Sequence, residues 1–89
     1  MKPQMIARTK LYNYMKERGD EMFLVHFTKI DGEHREMFAH AGVQPNPNTE
    51  THVFDYITVF DIVKEDFRTV NIATVDCIRY GRTTYWIKD

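Results

Sequence analysis

Two β-rich runs, Glu21 to Ile30 and Glu33 to Ala41, flank the dipeptide Asp31-Gly32. An Asp-Gly pair accepts the positive φ angles of a type I′ turn, so this spacing predicts a tight antiparallel hairpin. With a two-residue turn, Lys29 opposes His34, Phe27 opposes Glu36 and Val25 opposes Phe38. Strand alternation then sets Phe23, Val25, Phe27 and Phe38 on one face, and Leu24, His26, Met37 and Ala39 on the other. Faces that are both partly apolar fit a curved strand in a small closed sheet.

The chain has 89 residues, enough for one domain. A domain of this size buries only ~60–65% of the surface its unfolded chain exposes, so its core must be compact. With 43% hydrophobic and 13% aromatic residues, the material for that core is present. The single cysteine, Cys77, leaves no internal disulfide framework, which suits a reducing cytosol. No stretch approaches the ~20 apolar residues of a membrane span, and the N-terminus lacks the apolar core of a signal peptide. No membrane association is therefore expected. A net charge of −1 weighs against a generic nucleic-acid binder but leaves room for a local basic patch.

Residues 1–19 read as one helix, with Ile6, Leu11 and Met15 on a shared face. Lys16 and Arg18 suit its C-terminal dipole, and Gly19 suits the C′ position. Thr9 is an alternative N-cap that would start the helix later. Such a helix closes one end of a barrel or docks on a partner. The Pro-Asn segment Gly42 to Thr51 reads as a loop. A strand from Val53 to Val63, a turn at Lys64-Glu65-Asp66 and a returning strand Phe67 to Ile72 come next. Ala73 to Val75 reads as a one-turn connector, and Asp76 to Tyr80 as a further strand. Gly81-Arg82 has glycine first, as a type II′ turn requires, before a closing strand Thr83 to Lys88. That register sets Ile78 opposite Tyr85 and places Arg79 with Trp86 on the other face. One helix (1–19) and five or six short antiparallel strands (21–89) predict a mainly β fold, a small SH3-like or Sm-like barrel with an N-terminal α-helix, since closure removes exposed edges.

Catalytic patterns are thin. His34 and His40 lie six residues apart on one strand face, ~20 Å at strand rise, and His26 falls on the opposite face. With His52 distant in sequence and Cys77 lacking a CxxC partner, no metal site is expected. Asp55, Asp61, Asp66 and Asp76 fall near strand ends, where short acids bond local backbone, and read as solvated turn residues. Serine is absent. Cys77 lies in an apolar strand, unlike a thiolate nucleophile. No glycine-rich loop cradles a phosphate, so no cofactor is expected, and an enzyme is the least favoured class.

Two binding surfaces remain. Lys29 and Arg35 flank the first turn, and Arg79 and Arg82 flank the last. Brought together among Tyr80, Tyr85 and Trp86, they form a basic–aromatic surface of the kind that binds single-stranded nucleic acid. Pairing with Glu33, Glu36 and Asp76, or stacking of arginines on their own aromatics, is the competing reading. The second surface is the last strand. If its edge is unpaired, Tyr85 and Trp86 anchor a protein partner, or the edge pairs with a second copy.

Phe27, Lys29, Asp31-Gly32, Arg35 and Met37, in that spacing, resemble the hairpin of small phage-encoded WYL-related, Sm-like SH3 β-barrel proteins. Val59 to Val63, Phe67 to Asn71 and Val75 to Ile78 are similar to that family's second half. Together the similar stretches cover about residues 23–40 and 57–80. The resemblance implies a barrel fold, phage origin and action in the host cytoplasm, with Arg68 bonding Asp61 to anchor the barrel. It implies no activity. On this basis the chain is expected to be a non-enzymatic accessory protein that binds a host component of transcription or defence, with nucleic-acid binding as the alternative.

Overall fold

The expected barrel is an open sheet. The structure, a computed structural model, describes residues 4–42 and 55–89. Among these residues lie β1 (Gln4–Ala7), α1 (Arg8–Arg18), β2 (Phe23–Thr28), β3 (His34–His40) and β4 (Tyr56–Asp61). After them come β5 (Asp66–Asn71), a 3-10 turn (Ile72–Thr74), β6 (Val75–Tyr80) and β7 (Thr83–Lys88). The fold is mainly β, with seven strands in one sheet ordered β1-β7-β6-β2-β3-β4-β5. Only β1–β7 is parallel. Among the described residues β1 and β5 are the two edges, and no ladder joins them or closes β5 onto β2. The Pro-Asn loop, from Val43 to Thr51, and the start of the expected Val53 strand lie outside the described residues.

The helix begins later than the sequence predicts. Gln4 to Ala7 are extended and pair with Tyr85 to Lys88. The parallel ladder gives these residues hydrogen bonds, and it converts β7 from the expected edge into an interior strand. Ala7 is the N-cap, extended at φ −66 and ψ 136 with no side-chain cap, so Thr9 falls inside the first turn rather than ahead of it. Arg8 opens the helix against its dipole. Its guanidinium instead donates to the carbonyls of Ile72 at 2.7 Å and Val75 at 3.0 Å, and pairs with Asp89. The other end is as expected: Gly19 N–H donates to Lys16 O at 3.1 Å, with Lys16 and Arg18 in the last turn.

The first hairpin is slipped by one residue from the expected register. Lys29 N–H donates to Glu33 O at 2.8 Å and Gly32 N–H to Lys29 O at 2.9 Å. Only Gly32 has positive φ (+86) in this loop, and Asp31 Oδ1 accepts from Glu33 N–H at 2.9 Å. This is a type I turn closed by a left-handed glycine, a three-residue loop rather than a type I′ pair. Phe27 therefore opposes Arg35, Val25 opposes Met37 and Leu24 opposes Phe38. A one-residue slip exchanges faces. Phe38 joins Leu24 and His26, while Met37 and Ala39 join Phe23 and Val25. Gly32→Ala is expected to cost about 1–2 kcal/mol, the left-handed penalty of a Cβ, and a urea melt will read it. Gly81 (φ +60) makes its turn as the sequence predicts, with Tyr80 opposite Thr83 and Ile78 opposite Tyr85.

One face of the sheet holds the core. Leu11 and Met15 from α1 are fully buried with Phe23, Val25, Ile57, Val59 and Ile78. Each such side chain contributes roughly 1.5–3 kcal/mol by leaving water. The helix gains its stability there, since 11 residues form a marginal helix alone.

Candidate functional site

The opposite, outer face of the sheet carries two groups of apolar side chains, with the polar His26–Glu36 pair between them in the register. Register fixes them: Met5 pairs with Trp86, Trp86 with Cys77, and Cys77 with His26. Leu24 pairs with Phe38, and His40 with Phe60, which in turn pairs with Phe67. Phe60 lies 5.6 Å from His40 and 5.4 Å from Phe67, ring to ring. Met5, Phe38, Phe67 and Trp86 are 56%, 38%, 61% and 46% exposed. Among the described residues, the one helix packs on the other face. A cavity of about 450 Å³ opens between Leu24, His26, His34, Arg79 and Trp86, with Cys77 also in its lining.

A β-bulge shapes the polar side of this cavity. His26 pairs with Cys77 and Phe27 with Val75, leaving Asp76 without a partner in the ladder. Bulges re-aim side chains, and here the Asp76 carboxylate accepts from Thr28 Oγ1 at 2.9 Å. Thr28 Oγ1 also lies 3.2 Å from His34 Nδ1. With the hydroxyl proton committed to Asp76, the Thr28 oxygen accepts, so His34 carries its proton on Nδ1. His26 Nε2 stands 3.8 Å from Glu36. His26 and His34 therefore share the outer face, contrary to the expectation that they lie on opposite ones. The register slip is the reason. No group of three or more His, Cys, Asp or Glu gathers at metal-binding distance among the described residues, and His52 lies outside them.

Cys77 is buried, and burial first, then the Asp76 carboxylate, push its thiol pKa up. At neutral pH it is protonated. Iodoacetamide labelling at pH 7.5 is expected to run about tenfold slower than for free cysteine and to rise as pH climbs past the ordinary thiol range near 8.5. The other carboxylates bond local backbone. Asp61 accepts from Lys64 N–H at 3.0 Å and Asp66 from Phe67 N–H at 2.8 Å, while Asp55 is exposed beside β4. Asp61 is only 6% exposed, so it is not the solvated turn residue the sequence predicts.

The two pairs of expected nucleic-acid-binding cations are not brought together. Arg79 pairs with Leu24 and Arg35 with Phe27, on opposite faces of β2. Arg82 lies in the Tyr80–Thr83 turn, near the start of β2, and Lys29 lies just past its end. Arg35 pairs with Glu33 at 3.3 Å. Tyr85 and Trp86 also part. Trp86 stays on the outer face, whereas Tyr85 turns inward and lies 5.2 Å from the Tyr14 ring. Arg68 forms no ion pair with Asp61.

The arginine that does stack on aromatics is Arg18, which the sequence assigns only to the helix dipole. Its guanidinium carbon lies 4.7, 4.6 and 5.9 Å from the ring centroids of Tyr14, Tyr80 and Tyr85. It pairs with Glu21 at 2.8 Å and donates to the Tyr14 hydroxyl. The i,i+4 spacing of Tyr14 and Arg18 is the local signal for part of this stack.

No protein-family model, curated protein or solved structure matches the chain. No helix among the described residues is long and apolar enough to cross a membrane.

Proposed function

We propose that this is a non-enzymatic interaction protein whose outer sheet face docks a protein partner, with Trp86 as the anchor. The observation that carries this reading is the exposed Met5–Trp86 pair, with Phe38 and Phe67 also exposed on the same face, opposite the helix. Exposed apolar patches rimmed by polar groups mark protein contacts, and aromatic anchors supply most of the affinity of such contacts. The polar rim is present in His26, His34, Asp76 and Arg79 around the Trp86 cavity.

The finer reading is that the curled sheet is an opened variant of the SH3-like, Sm-like barrel. The chain is then a phage accessory protein, WYL-related, that modulates host transcription or defence in the host cytoplasm. The hairpin residues Phe27, Lys29, Asp31, Gly32, Arg35 and Met37 support it by their resemblance to that family. The joint nucleic-acid surface of Lys29, Arg35, Arg79 and Arg82 is not favoured, because those side chains divide between two faces.

Tagged protein is passed through a nuclease-treated bacterial lysate alongside Trp86→Ala and Arg82→Ala variants of equal thermal midpoint. One bacterial protein retained by wild type and Arg82→Ala but lost with Trp86→Ala is the expected result. Retention by all three, or only before nuclease treatment, contradicts the proposal.

A further inference from the structure

A second concavity lies at the seam where the sheet fails to close. The β3–β4 ladder holds only at Ala39–Asp61 and His40–Phe60. Beyond it the two hairpins diverge, while the sheet curls enough to bring β5 back toward the end of β2. Phe27 and Thr28 of β2 and Thr69 to Asn71 of β5 line one cavity of about 560 Å³, although no ladder pairs these strands. An adjoining cavity of about 340 Å³ shares Phe27, Lys29 and Thr69 with it.

The two lobes differ in chemistry. The smaller gathers Lys29, Arg35, Lys64 and Arg68 against two carboxylates, Glu36 and Asp61. This is a local positive excess in a chain of net charge −1. Only Arg35 of the four is in an ion pair; Lys29, Lys64 and Arg68 form none among the described residues. Cations crowded in one concavity repel one another, and an anion relieves that repulsion. The larger lobe is walled by Phe27, Ile30, Tyr56 and Val70, with Thr28, Asn71 and the Asp31 carboxylate among its polar groups. Aromatic and apolar walls of this kind take a flat ring.

We infer that the seam cleft binds a nucleotide unit, its phosphate held by Lys29, Lys64 and Arg68 and its base set against Phe27 and Tyr56. This site is separate from the outer face, so it stands or falls independently of the docking surface. Free nucleotides and single-stranded nucleic acid offer the same phosphate-plus-ring chemistry.

The test measures binding of adenosine monophosphate, adenosine and a short oligothymidine to wild type, Lys64→Glu/Arg68→Glu and Arg79→Ala/Arg82→Ala. Lys64 and Arg68 are exposed, and a thermal melt confirms that each variant is folded. Adenosine monophosphate is expected to bind at least about tenfold tighter than adenosine, and to weaken about tenfold or more in the Lys64/Arg68 variant alone. Oligothymidine binding well above the mononucleotide, falling steeply between about 50 and 200 mM salt, assigns the ligand to nucleic acid. Parity between them assigns it to free nucleotide. Equal binding of adenosine, competition by polyglutamate as strong as by the nucleotide, or indifference to the Lys64/Arg68 variant overturns the inference. So does the absence of binding by every probe.

Discussion

Phe23→Ala is expected to remove about 3–5 kcal/mol of folding stability, the cost of deleting a buried aromatic and leaving its cavity. Phe23 is 1% exposed, pairs with both Ala39 and Tyr80, and its ring lies 5.4 Å from that of Tyr80. A chain of 89 residues holds only about 4–13 kcal/mol in total. The variant will therefore lose a large share of its stability, and at the lower end of that range it will be unfolded at 25 °C. Urea unfolding followed by circular dichroism measures the loss. A cost below about 1 kcal/mol would mean that β2 does not hold the centre of the core.

Arg18→Ala carries the second large effect, expected at about 2–4 kcal/mol from three partly desolvated ring contacts, the Glu21 pair and the hydrogen bond to Tyr14. Arg18→Lys is expected to recover only part of it, because an ammonium cannot lay a planar fork between rings. The stack also has a pH signature. Burial, foremost, raises the pKa of Tyr80 and of Tyr14 above the ordinary tyrosine value, with Arg18 opposing it. A folded-state pKa above the unfolded one gives stability that is complete below about pH 10 and lost as pH rises further. Alkaline titration is therefore expected to unfold wild type from about pH 10 upward, with tyrosine ionisation accompanying unfolding rather than preceding it.

The strands and most turns are legible in the sequence because their signals are local. Gly81 at the first turn position fixes both the loop and the Ile78–Tyr85 register. Asp31-Gly32 is ambiguous by the same logic, since it serves a type I′ pair or the end of a type I turn with a glycine bulge. The choice between them decides which face carries Phe38 and His26. β1 is four residues long, too short for any periodicity to separate it from the first turn of α1. Its pairing with β7 is long-range and leaves no local mark.

Site geometry was less legible still. Trp86 on the outer face follows from strand alternation, and the sequence places it correctly opposite to Tyr85. Arg18 had a sufficient local explanation in the helix dipole, which hid its place among tyrosines from three separate elements. The cluster of Lys29, Arg35, Lys64 and Arg68 depends on the curl of the sheet, which brings residues from two hairpins to one seam. Nothing in their spacing along the chain announces it.

Trp86 is the only tryptophan in the chain, so replacing it biosynthetically with 5-hydroxytryptophan gives a single probe of the outer face that is excited at wavelengths where a partner's own tryptophans do not absorb. The most direct test is acrylamide quenching of the probe's emission in the free protein and in the complex with the bacterial partner retained by wild type. The docking account predicts efficient quenching when free, then emission protected from acrylamide once the partner is bound. Unchanged quenching in a saturated complex would place the contact elsewhere and contradict the account.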